Sequence, residues 1–252
     1  MGPEYTRVMA TADSTPDSAA PRLSFLRRRP ATVLLLVLLL LGAGLSVRLG
    51  SDAYQQRRAI KYLRKMGVKV KVDVSQAGPK IIRRWIGEGR MEAFGTIQNL
   101  NCSDHKISDA DLPYIKSLNG LEWLALNRCA ITDEGLKQLS EISTLRALRI
   151  DSTSVTDAGL ASLTELKRLE VLSLNRTQIT DAGLKHLTKL PRLRHLELEQ
   201  TQIDDAALPK LKELEGLQEL RLGDTKMSPV GVAELERTHG IRMLQTAESK
   251  PQ

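Results

Sequence analysis

Aromatic residues are nearly absent: two Phe, two Trp and four Tyr make up 3% of the 252-residue chain. A core of stacked rings is therefore excluded, and burial must be carried by aliphatic side chains. Cysteine is as scarce. Cys102 and Cys129 are the only two, too few for a disulfide framework and silent on redox compartment. Four histidines (His105, His186, His195 and His239) stand at no zinc-ligand spacing. The helical His-Glu-x-x-His pair, the phosphate-binding loop, G-x-S-x-G and G-x-G-x-x-G are all missing. The sequence thus predicts no catalytic residue, no metal ligand and no cofactor.

Charge of one sign is also missing from most of the chain. Residues 1–93 hold 17 Lys/Arg against 7 Asp/Glu, residues 94–237 hold 18 against 22, and residues 238–252 hold 2 against 1. The net charge of +7 therefore belongs to the N-terminal part. A nucleic-acid partner, which needs a basic face on the folded domain, is not expected.

That N-terminal part divides by composition. Residues 1–30 are rich in Ala, Ser, Pro and Thr without periodicity and predict a disordered tail. Residues 31–47 carry no charge, hold eight leucines and follow Arg27-Arg28-Arg29. At 1.5 Å per residue they reach about 26 Å, and Leu49 extends the run if Arg48 snorkels. We read 31–49 as a transmembrane helix. A cleaved signal peptide, for which Gly42-Ala43-Gly44 supplies small residues, stays open, but the tail ahead and the length of the run favour a signal anchor. Basic residues flank both ends, so the positive-inside rule is divided. The tight triple-Arg flank predicts a single-pass membrane protein with its C-terminal part outside the cytoplasm.

Residues 50–93 predict a basic α/β cap: a helix over 52–66 with Ala53, Ile60, Leu63 and Met66 on one stripe, stopped by Gly67. A strand over Val68–Val74 follows, read from strict alternation. After the breaker Gln76-Ala77-Gly78-Pro79, a short helix carries Ile81, Ile82, Trp85 and Ile86. A possible second role for 52–93 is contact with anionic lipid through Arg57, Arg58, Arg64, Lys65, Arg83 and Arg84.

From Phe94 to Arg237 the chain repeats every 24 residues without insertion or deletion, in register from Ile97, Leu121, Leu145, Leu169, Leu193 and Leu217. The template L-x-x-L-x-L-x-x-T-x-I-T-D-A-G-L-x-x-L predicts a short strand and a short helix per coil, stacked into a solenoid over 94–245 with a frayed tail at 246–252. Within each coil the leucines of x-L-x-L-x point inward and their neighbours face out. Thr153, Thr177, Thr201 and Thr225 form one row, predicted to satisfy buried backbone groups; Cys129 joins that row and Cys102 a leucine row, which argues against a disulfide. Ser108, Thr132, Thr156, Thr180 and Ser228 stand at helix N-caps. Asp109, Asp133, Asp157 and Asp181 follow them and are read as helix-dipole partners.

The segments Thr-Ser-Val-Thr-Asp-Ala-Gly-Leu and Thr-Gln-Ile-Thr-Asp-Ala-Gly-Leu closely resemble the T-x-I-T-D-A-G-L subclass of bacterial membrane-anchored leucine-rich-repeat proteins. So does Gln-Gln-Arg-Arg-Ala-Ile-Lys-Tyr-Leu-Arg-Lys-Met-Gly-Val-Lys-Val upstream. The resemblance covers roughly 52–237. It implies an α/β leucine-rich-repeat solenoid, a curved parallel sheet on the concave face with helices on the convex face, acting as a non-enzymatic binding scaffold. Repeats of this length are also similar to those of eukaryotic ubiquitin-ligase substrate receptors, although an apolar run stands where an F-box would. A structural envelope protein with no specific ligand is a further alternative.

Candidate protein- or peptide-binding residues are then the outward positions of the strands: Trp123, Ala125, Asn127, Arg128, Arg149, Asp151, Asn175, Arg176, His195, Glu197, Glu199 and Arg221. Trp123 beside Ala125 and Ala147 is read either as an exposed hot spot or as a side chain packed over the edge of the N-terminal cap. Arg128, Arg149 and Arg176 are read as a basic patch, and Glu197 with Glu199 as an acidic one.

Overall fold

A parallel sheet built one strand per repeat organises the structure, a computed structural model that describes residues 51–75, 91–239 and 242–243. All of these lie in the second of the chain's two compact units, which begins at Gly50. The expected tail 1–30, the transmembrane helix 31–49, the short helix around Trp85 and the end 246–252 lie outside the described residues. Among the described residues, no helix is long and apolar enough to cross a membrane.

The first helix, α1 (51–65), turns Ala53, Gln56, Ala59, Ile60 and Leu63 inward. It ends in a Schellman motif: Gly67 at φ 88 gives its N–H to Arg64 O at 3.1 Å, and Val68 N–H reaches Leu63 O at 3.0 Å. Residues 68–74 alternate in burial as expected, yet they form no ladder. Among the described residues, one bridge joins them to the repeats, Asp73 to Thr96, antiparallel. Gly95 makes that approach possible, since a Cβ there would sit 2.6 Å from Val72 Cγ1 and 2.7 Å from Asp73 O. Gln56, wholly buried, fastens α1 to the first coil. Its Nε2 donates to Glu92 O at 3.0 Å and Gly95 O at 2.8 Å, and its Oε1 accepts from Asn119 N–H at 3.0 Å.

The strands are β1 (Asn99–Asn101), β2 (Trp123–Ala125), β3 (Ala147–Arg149), β4 (Val171–Ser173), β5 (His195–Glu197), β6 (Glu219–Arg221) and β7 (Arg242–Met243). They pair in sequence order, all parallel. Partners lie 24 positions apart through β6, as Leu124↔Leu148↔Leu172↔Leu196. At β7 the register shortens to Leu220↔Met243. The fixed period places identical leucines over one another, and one continuous core runs from Ala59 to Leu235.

Short helices return the chain: α2 (Leu112–Lys116), α3 (Asp133–Leu139), α4 (Asp157–Leu163), α5 (Leu184–Leu187), α6 (Leu208–Lys212) and α7 (Pro229–His239). Thr132, Thr156 and Thr180 cap as expected, each Oγ1 accepting a backbone N–H two residues on.

The aspartates that follow these caps stand in the first helical turn as expected, and they also do more than complement the helix dipole. Asp109 accepts Thr132 N–H on Oδ1 at 3.1 Å and the Thr132 hydroxyl on Oδ2 at 2.5 Å. Asp133 holds Thr156 at 2.8 and 2.6 Å, and Asp157 holds Thr180 at 2.9 and 2.6 Å. Each carboxylate therefore clamps the helix start of the next coil. It occupies the space that a Cβ would need at Gly135, Gly159 and Gly183, whose φ values need not be positive. Close approach, and not turn geometry, explains the glycine of T-D-A-G.

The fifth coil departs from this pattern. Asp204 replaces the threonine and Ala207 the glycine, so the Asp204 N–H reaches Asp181 Oδ1 at 3.1 Å with no hydroxyl to share. Burial pushes the Asp181 carboxyl up, and although the Asp204 N–H opposes this, the Asp204 carboxylate pushes it further.

A double-mutant cycle tests the clamp. Gly159→Ala should cost roughly 1–3 kcal/mol by overpacking, and Asp133→Ala roughly 1–2 kcal/mol through lost hydrogen bonds. The double variant should fall short of their sum by at least about 0.5 kcal/mol in urea unfolding, because removing the carboxylate frees the space. Strict additivity would show that the two residues do not share that space.

Candidate binding face

Outward positions of the sheet fall into three rows, and each row has its own fate. The first runs Asn99, Trp123, Ala147, Val171, His195, Glu219 in register. Trp123, expected to be exposed, is half-buried. Ala147 is buried, as is Ala125 in the second row. On strands about 4.8 Å apart, a methyl group is shadowed by larger register neighbours, here Trp123 beside Ala147 and Arg149 beside Ala125. His195 Nδ1 lies 3.2 Å from Glu219 Oε2.

The second row converges on Glu197. Arg149 Nη2 donates to both of its carboxylate oxygens at 3.0 Å, and Asn175 Nδ2 donates to Oε2 at 3.0 Å. Ser173 Oγ, buried, lies 2.8 Å from Glu197 Oε2 and 2.5 Å from Asp151 Oδ1. Its single proton can serve only one of the two carboxylates at a time. Arg221 Nε stands 4.0 Å from Glu197 Oε1. Burial raises the Glu197 pKa, but the Ser173 hydroxyl, the Arg149 charge and the Asn175 amide together hold it below the usual carboxylate value.

The third row is largely consumed by the fold. Asn127 Oδ1 accepts Asp151 N–H at 3.0 Å, Asp151 Oδ1 accepts Asn175 N–H at 2.9 Å, and Asn175 Oδ1 accepts Glu199 N–H at 2.7 Å. These side chains form a ladder from coil to coil. Asn127, Asp151 and Asn175 are thus committed to the sheet before any partner arrives.

Next to this row stand six residues with positive φ: Asp104, Arg128, Ser152, Arg176, Gln200 and Asp224, at 54 to 64°. There the chain turns off the strand while its N–H continues the ladder, as Arg128 N–H to Asp151 O at 2.8 Å. Sequence reasoning missed this conformation because Arg and Gln rarely signal it. The expected basic patch is reduced: Arg128 is paired with Asp104 through Nη2 at 2.6 Å and Arg149 with Glu197, while Arg176 Nε is hydrogen-bonded to the neutral Gln200 Oε1 at 2.7 Å and keeps its charge.

Two polar atoms on this face have no partner. Arg149 Nε and Glu199 Oε1 are buried and unbonded among the described residues. They belong to coils two repeats apart, about 10 Å along the stack. Burial raises the Glu199 pKa; Arg221 opposes the shift, and Glu197, Asp224 and Asp151 add to it. Both cysteines are free and buried. Cys129 Sγ takes the threonine's place, 3.2 Å from Cys102 O, and burial pushes the Cys102 thiol up to about 12.

Comparison with protein families finds leucine-rich repeats at residues 143–203 and again at 121–140. No curated protein matches the chain. Solved structures similar to it include an internalin of Listeria monocytogenes, 20% identical, with a TM-score of 0.44 over 61% of this chain and 48% of that one. The mouse RP105/MD-1 complex is 18% identical, with a TM-score of 0.47 over 58% and 25%. A leucine-rich-repeat protein of Leptospira interrogans is 20% identical, with a TM-score of 0.43 over 59% and 37%. The chain spans half or less of the length of each of these structures.

Because Glu197 is held below its ordinary pKa, its contribution to stability is present above the unfolded value near 4.5 and is lost as pH falls through the folded value. Glu197→Gln should therefore lower stability at neutral pH by roughly 1–3 kcal/mol. The gap from the parent should close as the pH drops below 4.5. Urea unfolding across pH measures it, and a gap that stayed constant would mean that the charge is not what Arg149 and Ser173 hold.

Proposed function

We propose that this protein is a non-enzymatic, membrane-anchored scaffold whose leucine-rich-repeat sheet holds a protein or peptide outside the cytoplasm. The observation that carries the binding reading is the outward face of the sheet, where half-buried Trp123, Val171 and His195 stand in one row and partly exposed Arg149 and Arg221 in the next, on strands held in fixed register. An extended peptide crossing the strands would meet Trp123 with an apolar group, Arg149 and Arg221 with acceptors and half-buried Glu199 with a donor, at intervals set by a strand spacing of about 4.8 Å. Specificity follows because an ill-matched chain would cover charged groups without pairing them.

The anchor rests on the uncharged run 31–47 and its Arg27-Arg28-Arg29 flank. In this reading 51–75 also closes the first coil, whose apolar layer would otherwise meet water. The burial of Ala59, Ile60, Leu63 and Val68 in the common core supports that role.

Two measurements test the proposal. Alkaline phosphatase fused after Gln252 in a bacterial host should be active in whole cells; an intact but inactive fusion would put the repeats inside. The variant Trp123→Ala/Glu199→Ala should keep its fold and lose partners that the parent captures, with affinity down about 100-fold for two central contacts. Glu199 is chosen over Arg149 because Arg149 also holds Glu197. Undiminished capture would remove this face from consideration and favour a structural envelope role.

A further inference from the structure

Of the surfaces outside the sheet, the one with the most definite chemistry is the solvent face of α1. Tyr54, Arg58, Lys61, Tyr62 and Lys65 fall at helical spacings of four, three, one and three, on one side of the helix. The opposite side, Ala53, Gln56, Ala59, Ile60 and Leu63, is buried. Tyr54 is 64% exposed. The Tyr62 and Tyr114 rings stack at 4.0 Å and 13°, the Arg58 guanidinium stands 5.6 Å from the Tyr114 centroid, and the Tyr62 hydroxyl donates to Asp111 Oδ1 at 2.5 Å. Together Arg58, Lys61, Tyr62, Lys65 and Tyr114 bound a groove of about 210 Å³.

None of Arg58, Lys61 and Lys65 has a carboxylate partner among the described residues, whereas Arg64 is tied to Glu92 at 2.9 Å. Arg64 therefore drops out of the lipid-facing set read from the sequence. Arg83 and Arg84 lie outside the described residues. Along 51–65 the only acid is Asp52, against five Lys/Arg. Only residues 48–50 separate the apolar run 31–47 from α1, a length of chain that reaches at most about 14 Å.

We propose that this tyrosine-bearing basic face of α1 docks on the anionic phospholipid headgroups of the membrane that holds residues 31–47. The inference rests on the anchor reading and deepens it by naming the second contact. A lipid surface fits better than a soluble acidic protein for two reasons on the page. The unpaired cations and an exposed Tyr share one helix face, which is the composition of a membrane interface. The short tether also confines that face to the membrane that holds residues 31–47, so its effective concentration there is high without a separate binding event.

The test uses the full chain in lipid nanodiscs, of phosphatidylcholine alone or with about one third phosphatidylserine, at physiological salt. Acylation rates of Lys61 and Lys65 are read by mass spectrometry, with exposed Lys185 and Lys189 as internal references. In the anionic discs Lys61 and Lys65 should react about threefold or more slowly, and high salt should abolish the difference by screening. The variant Arg57→Gln/Arg58→Gln, which leaves both reporter lysines in place, should weaken the protection. Equal rates in the two discs would overturn the proposal while leaving the anchor intact. Failure of the chain to co-purify with discs at all would overturn the anchor reading, and this inference with it.

Discussion

The carboxylate that reaches from one coil to the helix start of the next sets the pitch on which the rest of the structure depends. Thr132 shows how fully it is used. Its hydroxyl donates to Asp109 of the preceding coil and accepts from Glu134 N–H of its own helix, so both functions of a single oxygen are engaged. Its backbone N–H goes to the same carboxylate. A helix of four to seven residues is far below the length that is stable alone. Here the helices of the second, third and fourth coils start on a cap that is already held in place by the preceding coil. The aspartate in turn requires the missing Cβ at Gly135. Three residue types, Asp, Thr and Gly, therefore act at fixed spacing as one joint, and a one-residue insertion would take every member of it out of reach.

That joint lies at the helix edge, and other side-chain bonds close the turn within a coil or join the strand ends of neighbouring coils. Thr153, Thr177 and Thr201 are buried and donate to the carbonyls of Ile150, Leu174 and Leu198 at 2.7, 2.6 and 2.6 Å. Asn127, Asp151 and Asn175 carry the ladder past the strand ends. The strands themselves have only three residues through β6. Side-chain ladders thus extend a narrow sheet beyond the width its backbone can pair. This has a functional consequence, because residues committed to the pitch are withdrawn from recognition. What remains free is concentrated in the first two rows and at Glu199, where side chains differ from coil to coil.

The period, the strand centres, the inward leucines and the threonine caps were legible because each rests on a repeated local rule. The 24-residue register alone places Leu124 over Leu148. The role of Asp109 was not legible. A carboxylate just after an N-cap is explained adequately by the helix dipole, and only the position of the neighbouring coil shows that it points across the gap. The same limit applies to Trp123, Ala125 and Ala147. Alternation tells which side of a strand a residue faces, but its exposure depends on the size of its register neighbours. Arg149 could be counted as a free cation from sequence, since its partner Glu197 is 48 residues away and two coils distant. Likewise the alternation over Val68–Val74 was real in burial, while among the described residues it leads to one backbone bridge, Asp73 to Thr96.

Gln56 adds a last constraint, because it decides what kind of boundary the first coil has. An apolar contact alone would let α1 slide along the exposed end of the leucine stack. A buried amide that uses two donors and one acceptor on Glu92 O, Gly95 O and Asn119 N–H cannot slide without stranding all three. The helix is therefore held in one register against the repeats, and its polar face is fixed relative to theirs. Orientation matters more than adhesion at this position. On the proposed reading of a tether at residues 48–50, the sheet can face a defined direction only if the element next to the tether is rigidly joined to it, and the three hydrogen bonds of Gln56 contribute to that joint.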